Sequence, residues 1–394
     1  MFKRQPLKYA FVLGHVPLFS RVEIKRLLAL RNLKFKELFS SKEALVIESE
    51  AKLDLCALQE RLGGTIKIAR LVALAPEVNL ENLEQVISSH GLKAKKQKFK
   101  FGFSLFGEIN KREIEKIGLA IKRNLGARRI NSRLVVSKDK SLSSVIVRKE
   151  KLIGQGLDLV IIKTPEGYLL GLTESVQDFN EFSKRDYGRP ARDDKSGMLP
   201  PKLARMMINL SSTRTDQTIL DPFCGSGTVI QEALFLGYKN IIASDISQKA
   251  VEFTQNNIDW LQTKYQLETS GVKVYQLDAV DLLDLLEPSS IDAIITEPYL
   301  GPPEKLQVNQ AKKIINELSE LYLKSFKAFY QVLKPTGRVV MIFPIIGSQH
   351  LGILDKLRAL GFSVEPLSDE PRGSIVYSRP NQRILREIFV FEKK

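Results

Sequence analysis

Nine consecutive residues, Leu220-Asp221-Pro222-Phe223-Cys224-Gly225-Ser226-Gly227-Thr228, restrict what this chain can fold into more than any others. They read as the end of a short apolar strand, an acidic tip and a glycine turn. The run Val229-Ile230-Gln231-Glu232-Ala233-Leu234 then continues as a helix. Two glycines one residue apart let backbone pass close to a ligand, and the free N–H groups of the following helix point at the same place. No Lys follows the second glycine, so the loop is not a phosphate-gripping P-loop. The third glycine of the dinucleotide fingerprint is also missing.

Three companions follow the loop. Asn240-Ile241-Ile242-Ala243-Ser244-Asp245 is an apolar strand ending in a carboxylate 24 residues after Asp221. Two carboxylate oxygens at such a tip can accept both hydroxyls of a ribose. Ser247 is placed to cap a helix running through Trp260. Val272-Lys273-Val274-Tyr275-Gln276-Leu277 ends in Asp278-Ala279, and Ile291-Asp292-Ala293-Ile294-Ile295-Thr296 ends in Glu297-Pro298-Tyr299-Leu300-Gly301-Pro302-Pro303. Asp221, Asp245, Asp278 and Glu297 therefore all sit at the carboxyl ends of strands, where open α/β sheets bind their ligands.

The loop and its companions resemble the donor site of class I S-adenosylmethionine-dependent methyltransferases, above all those acting on an exocyclic amine of a base. The resemblance implies that Asp221, Pro222, Phe223, Cys224, Gly225, Gly227, Thr228, Asp245 and Ile246 hold S-adenosylmethionine. It implies that Asp278 accepts from the donor's adenine amino group and that Ala279 offers a backbone N–H. Amine methyltransferases usually carry Asp/Asn-Pro-Pro-Tyr/Phe after the fourth strand. An exocyclic amine is a poor nucleophile because its lone pair is delocalised into the ring. A carboxylate and a carbonyl that accept its two N–H bonds localise that lone pair, and an aromatic ring holds the base in line. These roles fall to Glu297, the Pro298 carbonyl and Tyr299. The chain departs from the pattern: Glu297 is one methylene longer than Asp, Tyr299 stands where the second proline would be, and Leu300 takes the aromatic position.

Charge separates the chain. The net charge is +15, and residues 1–200 hold 38 Lys and Arg against 23 Asp and Glu, whereas residues 201–394 hold 22 of each. A basic half joined to a neutral one implies a polyanionic partner and salt-dependent binding. Within the basic half, residues 9–14, 44–48 and 65–74 read as strands, and helices start at Ser20 and Leu53. This β-α-β-α-β order gives an expected ferredoxin-like domain over residues 1–75. Helices over 81–89 and 110–125, an alternating strand at 98–106 and a hairpin around Pro165-Glu166-Gly167 make a second module, 76–175, similar to the THUMP domain of RNA-modifying enzymes. Three basic stretches, Lys93–Lys100, Lys122–Arg129 and Arg148–Lys151, beside alternating Phe residues, are its expected RNA surface.

Residues 176–197 are polar and turn-rich and read as a linker to a domain over 198–394. The sequence Arg189-Pro190 followed by Leu199-Pro200-Pro201-Lys202-Leu203-Ala204-Arg205 resembles the segment before the donor loop of tRNA guanine-N2 methyltransferases. That resemblance puts Leu199 and Pro200 at the methionine end of the donor pocket. After the fourth strand come a helix over 308–333, a fifth strand over 337–344, a helix over 351–360 and a terminal strand over 386–391. The expected fold is α/β: a ferredoxin-like and THUMP-like α+β part, then a Rossmann-like methyltransferase domain with a mostly parallel seven-stranded sheet.

Cys56 and Cys224 lie far apart, and His15, His90 and His350 do not cluster, so no metal site is expected. Met1–Gln5 leads into an amphipathic strand, and no run of about 20 apolar residues occurs, so the expected location is the cytoplasm. The expectation is a monomer that takes tRNA, with no helper subunit indicated, and methylates guanosine N2 at position 10. The rival readings are an amino-methyltransferase acting on DNA or ribosomal RNA, and an RNA-binding scaffold with a decayed pocket.

Overall fold

The computed structural model describes residues 6–91, 98–193, 198–302, 304, 307–379 and 382–394. The chain divides into two compact units, residues 1–21 with 31–181 and residues 22–30 with 182–394.

The chain up to residue 176 carries β1 (Leu7–Leu13), α1 (Pro17–Leu30), most of which is counted with the second unit, β2 (Phe35–Ser40), β3 (Ala44–Ser49), α2 (Leu55–Arg61), β4 (Thr65–Ala75), α3 (Leu80–Gly91), β5 (Phe99–Phe106), α4 (Lys111–Ala127), β6 (Ser132–Val135), α5 (Ser144–Lys149), β7 (Leu157–Thr164) and β8 (Gly167–Val176). All eight strands form one sheet in the order β2-β3-β1-β4-β8-β7-β5-β6. The sheet runs unbroken across residue 75, because β4 pairs with β1 on one side and β8 on the other. The order expected for residues 1–75 lacks a strand. β2 is an edge strand with no buried residue, Phe-Lys-Glu-Leu-Phe-Ser, whose polar residues hide the alternation of a half-buried strand.

A fully buried ion pair ties the middle of this sheet. Lys67 Nζ of β4 lies 2.6 Å from Asp158 Oδ2 of β7 and 2.8 Å from Ser104 Oγ of β5. Thr173 Oγ1 of β8 donates to Asp158 at 2.7 Å. With every member bonded, the network fixes the register of four strands. Phe99, Phe101 and Phe103 are buried in the core of this unit, so they are not available to stack on bases. Alternation along β5 reflects that core rather than an RNA surface. Most of the basic stretch Lys93–Lys100 lies outside the described residues. In the others, Arg128 lies 3.8 Å from Glu84 and Arg148 pairs with Asp178, while Lys100 reaches Glu150 at 2.8 Å.

The stretch expected as a linker holds a helix, α6 (Phe179–Tyr187). It is followed by α7 (Pro201–Leu210), β9 (Thr218–Asp221), α8 (Thr228–Phe235), β10 (Asn240–Asp245), α9 (Gln248–Tyr265), β11 (Val272–Gln276), β12 (Ile291–Thr296), α10 (Val308–Val332), β13 (Leu333–Ile346), α11 (Leu354–Ala359), β14 (Phe362–Glu365), β15 (Ile375–Tyr377) and β16 (Ile384–Lys393). Seven strands follow the path β11-β10-β9-β12-β13-β16-β14, and the short β15 also pairs with β16. The first five are parallel, and β16 is antiparallel to its neighbours. Strands covered on both faces must be apolar throughout, and Ile294, Ile295, Val339 and Val340 are all fully buried. Tyr322, Phe326 and Phe329 of α10 pack on Phe343 of β13 and on Phe389 and Phe391 of β16. Among the described residues, no helix is long and apolar enough to cross a membrane.

Candidate active site

The parallel strands β9, β10 and β12 deliver Asp221, Asp245 and Glu297 to one edge of the sheet, and all three line a cavity of about 1010 Å³. Asp221 is buried, and its Oδ1 accepts from Thr296 Oγ1 at 2.6 Å and from the Phe223 N–H at 3.3 Å. Burial raises its pKa to about 7; the two hydrogen bonds pull it down, while Asp245 and Glu297 push it up. Burial also pushes the Cys224 thiol far up, so that side chain stays neutral.

The two loop glycines do different jobs. Gly227 has φ +79° and caps α8. A Cβ there would sit 3.1 Å from the Thr254 side chain, so both backbone and space demand glycine. Gly227 lies behind the cavity rather than in its wall. Gly225, with φ +54°, lines the cavity, and a Cβ there would meet no protein atom within 4 Å. Space there is open, so it is the positive φ that favours glycine. The Gly225 N–H donates to Asp245 Oδ2 at 3.0 Å, and the Ser247 N–H donates to Oδ1 at 3.0 Å. Ser247 does sit at the N-cap of α9, but its side chain makes no cap bond; Asp245 takes its N–H instead. Each Asp245 oxygen accepts one backbone bond and keeps a lone pair for a hydroxyl.

Pro222, Phe223, Cys224, Thr228, Ile246, Asp278 and Ala279 line the same cavity. Leu199 lines it too, whereas Pro200 is buried as the N-cap of α7 and is not part of the wall. Asp278 turns back on its own chain, its Oδ1 accepting from the Val280 N–H at 3.2 Å.

Sequence reading missed the side chains that hold this wall from a distance. Arg189 donates to Thr228 Oγ1 at 2.8 Å and to Met198 Sδ at 2.9 Å. Asn257 of α9 donates to the carbonyls of Ala191 and Ser226, at 2.9 and 2.8 Å, and accepts from the Ala191 N–H. Beneath the loop, buried Glu232 of α8 is held by Arg185 at 2.7 Å and by Arg205 at 2.7 Å. None of these pairs has a fixed sequence spacing that could have given it away.

At the other end of the cavity, β12 stops at Thr296 and the chain turns through Glu297, Pro298 and Tyr299, all in the wall. Arg386 of β16 grips Glu297 with Nε 2.5 Å from Oε1 and Nη2 3.3 Å from Oε2. The Tyr299 carbonyl accepts from the buried Tyr322 hydroxyl at 2.9 Å, while the Tyr299 ring is 56% exposed. Burial, and secondarily the charge of Glu297, holds the Tyr322 hydroxyl protonated. Gly301 turns the chain with φ +103°, and Pro303 lies outside the described residues. Among the described residues, no group of three or more His, Cys, Asp or Glu could hold a metal ion.

The chain is similar to known methyltransferases. A family model described as "RMKL-like, methyltransferase domain" matches residues 189–346, and one described as "DNA methylase" matches residues 91–256. A tRNA (guanine(10)-N2)-dimethyltransferase from Pyrococcus abyssi is 31% identical over 236 residues, which is 55% of this chain and 62% of that protein. The chain thus spans less than two thirds of that relative's length. A probable tRNA (guanine(10)-N2)-dimethyltransferase from Methanothermococcus thermolithotrophicus is 31% identical over 126 residues, 31% of this chain and 74% of that protein. Among solved structures, TrmN from Thermus thermophilus superimposes with a TM-score of 0.60 at 17% identity, over 98% of this chain and 100% of that one. This last likeness is one of fold.

Proposed function

The chain belongs to the tRNA (guanine(10)-N2)-dimethyltransferase family, and from that premise we propose that it transfers methyl from S-adenosylmethionine to the N2 amine of guanosine 10 in tRNA. The observation that carries the proposal is the meeting of Gly225, Asp245 and Glu297-Pro298-Tyr299 in one cavity. Residues fit the donor: the Gly225 face is open, and both Asp245 oxygens can take hydroxyls. When bound, S-adenosylmethionine supplies an electrophilic methyl on a positively charged sulfur. Glu297 and the Pro298 carbonyl accept the two N–H bonds of the amine and turn its lone pair toward that methyl. Tyr299 stacks on the base. As the N–C bond forms and the bond from methyl to sulfur breaks, leaving a neutral thioether, the amine becomes cationic, and Glu297 can receive the proton it sheds. The basic first unit holds the phosphate backbone, and the chain acts as a monomer.

The test is to incubate the full chain with S-adenosylmethionine and unmodified tRNA and to identify nucleosides by mass. The expected products are N2-methylated guanosines, absent when guanosine 10 is replaced by adenosine. Glu297→Ala should cut turnover by at least 100-fold while leaving donor binding within about threefold. Surviving turnover in that variant would remove the carboxylate from the mechanism. A second reading, methylation of a DNA base amine, draws on the DNA methylase match over residues 91–256. Preference for duplex DNA over tRNA in competition would favour it.

A further inference from the structure

We infer that Arg386 is a positioning residue that sets the reach of Glu297, an inference that rests on the amine-accepting role proposed above for that carboxylate. The usual acid of this loop is one methylene shorter. A longer side chain has one more rotatable bond, so an unsupported Glu at this place would spread its carboxylate over several positions. A near-attack geometry does not tolerate that spread, since a misplacement of about 1 Å costs about 100-fold in rate.

The structure supplies a compensating partner. Arg386 meets both oxygens of Glu297 at once, at 2.5 and 3.3 Å, and only 11% of either side chain is exposed. A planar guanidinium paired with a carboxylate in this forked way fixes orientation as well as distance. It uses one lone pair on each oxygen and leaves the others for N–H donors.

The backbone that brings Arg386 there is built for it. β12 pairs with β13 only as far as Thr296 against Met341, whereas β13 runs on to Ile346 with β16 alongside. Arg386 pairs in register with Pro344, on this overhang beyond the end of β12. Proline, which has no N–H to donate, is tolerated there because β12 no longer runs alongside. The overhang therefore lets Arg386 reach over the end of the parallel sheet to the residue that follows β12. The neighbouring Glu387 accepts from Arg372 Nε at 2.7 Å and Ser374 Oγ at 2.8 Å, with His350 Nδ1 at 3.2 Å. Those contacts stiffen the same strand.

The experiment compares Arg386→Gln and Arg386→Lys in the full chain. Arg386→Gln should lower kcat for tRNA methylation about 100-fold, with donor affinity by calorimetry within threefold of wild type. Arg386→Lys, which keeps charge but not the fork, should recover roughly a tenth of wild-type kcat. In a Glu297→Gln background, Arg386→Gln should add less than twofold, because the clamp then has no carboxylate to place. A wild-type kcat in Arg386→Gln, or an undiminished loss in the Glu297→Gln background, would overturn the inference while leaving the proposed function standing. Hydrogen exchange gives a readout independent of activity. Amides of Glu297, Tyr299, Leu300 and Gly301 should exchange at least tenfold faster in Arg386→Gln, with β13 and β16 unchanged. If the wild-type chain methylates no tRNA, the functional reading fails, and unchanged exchange in the variant would separately sink the clamp.

Discussion

The two ends of the cavity are built in opposite ways. At the donor end the loop takes its shape from backbone, with Gly225 and Gly227 in left-handed conformations and Asp245 held by the N–H groups of Gly225 and Ser247, and Arg189 and Asn257 only brace the wall behind it. At the acceptor end the geometry rests on side chains from distant elements. Glu297 is fixed by Arg386, 89 residues away, and the Tyr299 carbonyl by Tyr322 on α10. A site made of backbone tolerates little change in its local sequence and stays recognisable. A site made of side-chain pairs can lengthen one partner and adjust the other, as the Glu297 substitution does. The departure from the usual acid-Pro-Pro-aromatic order therefore reads as a re-supported loop rather than a decayed one.

If the donor end depends on Asp245 as a hub, its loss should have the largest effect on the cavity. Asp245→Ala removes the acceptor for two backbone N–H groups and for a ribose, and should weaken S-adenosylmethionine binding by at least 100-fold, about 3 kcal/mol. Calorimetry checks this; a change under tenfold would mean the loop keeps its shape without the hub, and the contrast between the ends would collapse. The acceptor end should respond more mildly and in a different observable. Tyr299→Ala leaves the backbone hydrogen bond to Tyr322 intact and removes a stacking ring worth about 1–2 kcal/mol. KM for tRNA should rise about tenfold with donor affinity unchanged. An equal loss of donor affinity would show the two ends to be one unit.

The same division explains what was legible in the sequence. The order of elements in residues 198–394 could be read because buried parallel strands are apolar runs ending in an acid or a glycine turn, each separated by a helical stretch. The line of carboxylates at strand ends followed from that order. The side chains that brace the site could not be read: Arg189, Asn257, Arg386 and the buried trio Arg185, Glu232 and Arg205 act across the fold, and a charged residue looks alike in sequence whether solvated or buried in a pair. α6 was hidden for a related reason, since Asn180-Glu181 and Lys184-Arg185-Asp186 read as a polar connection, although Phe182 and Arg185 are buried. β2 was hidden by its exposed edge position. The alternating Phe99, Phe101 and Phe103 misled in the opposite direction, because a core-facing strand and a base-stacking strand share one pattern.

The smallest expected effect joins the two ends through Asp221. Its carboxyl lies between them, bonded to Thr296 and close enough to Asp245 and Glu297 for their charges to raise its pKa. With a folded pKa of about 7 against an ordinary value near 3.8, the folded chain binds the extra proton between those pH values. Stability contributed by this group is therefore fullest near pH 4 and falls as pH rises toward 7, where an ionised carboxylate must be kept buried. Donor binding should run the other way. A cationic ligand favours the ionised form, so affinity for S-adenosylmethionine should fall a few-fold as pH drops from 8 to 6. Asp221→Asn keeps an oxygen to accept from Thr296 but cannot ionise. It should flatten both dependences, melting at a higher temperature than wild type at pH 8 and binding the donor equally at pH 6 and pH 8. Thermal melts and calorimetry at the two pH values check this. Slopes matching the wild type in the variant would assign the pH dependence to other groups and leave Asp221 a purely structural acid.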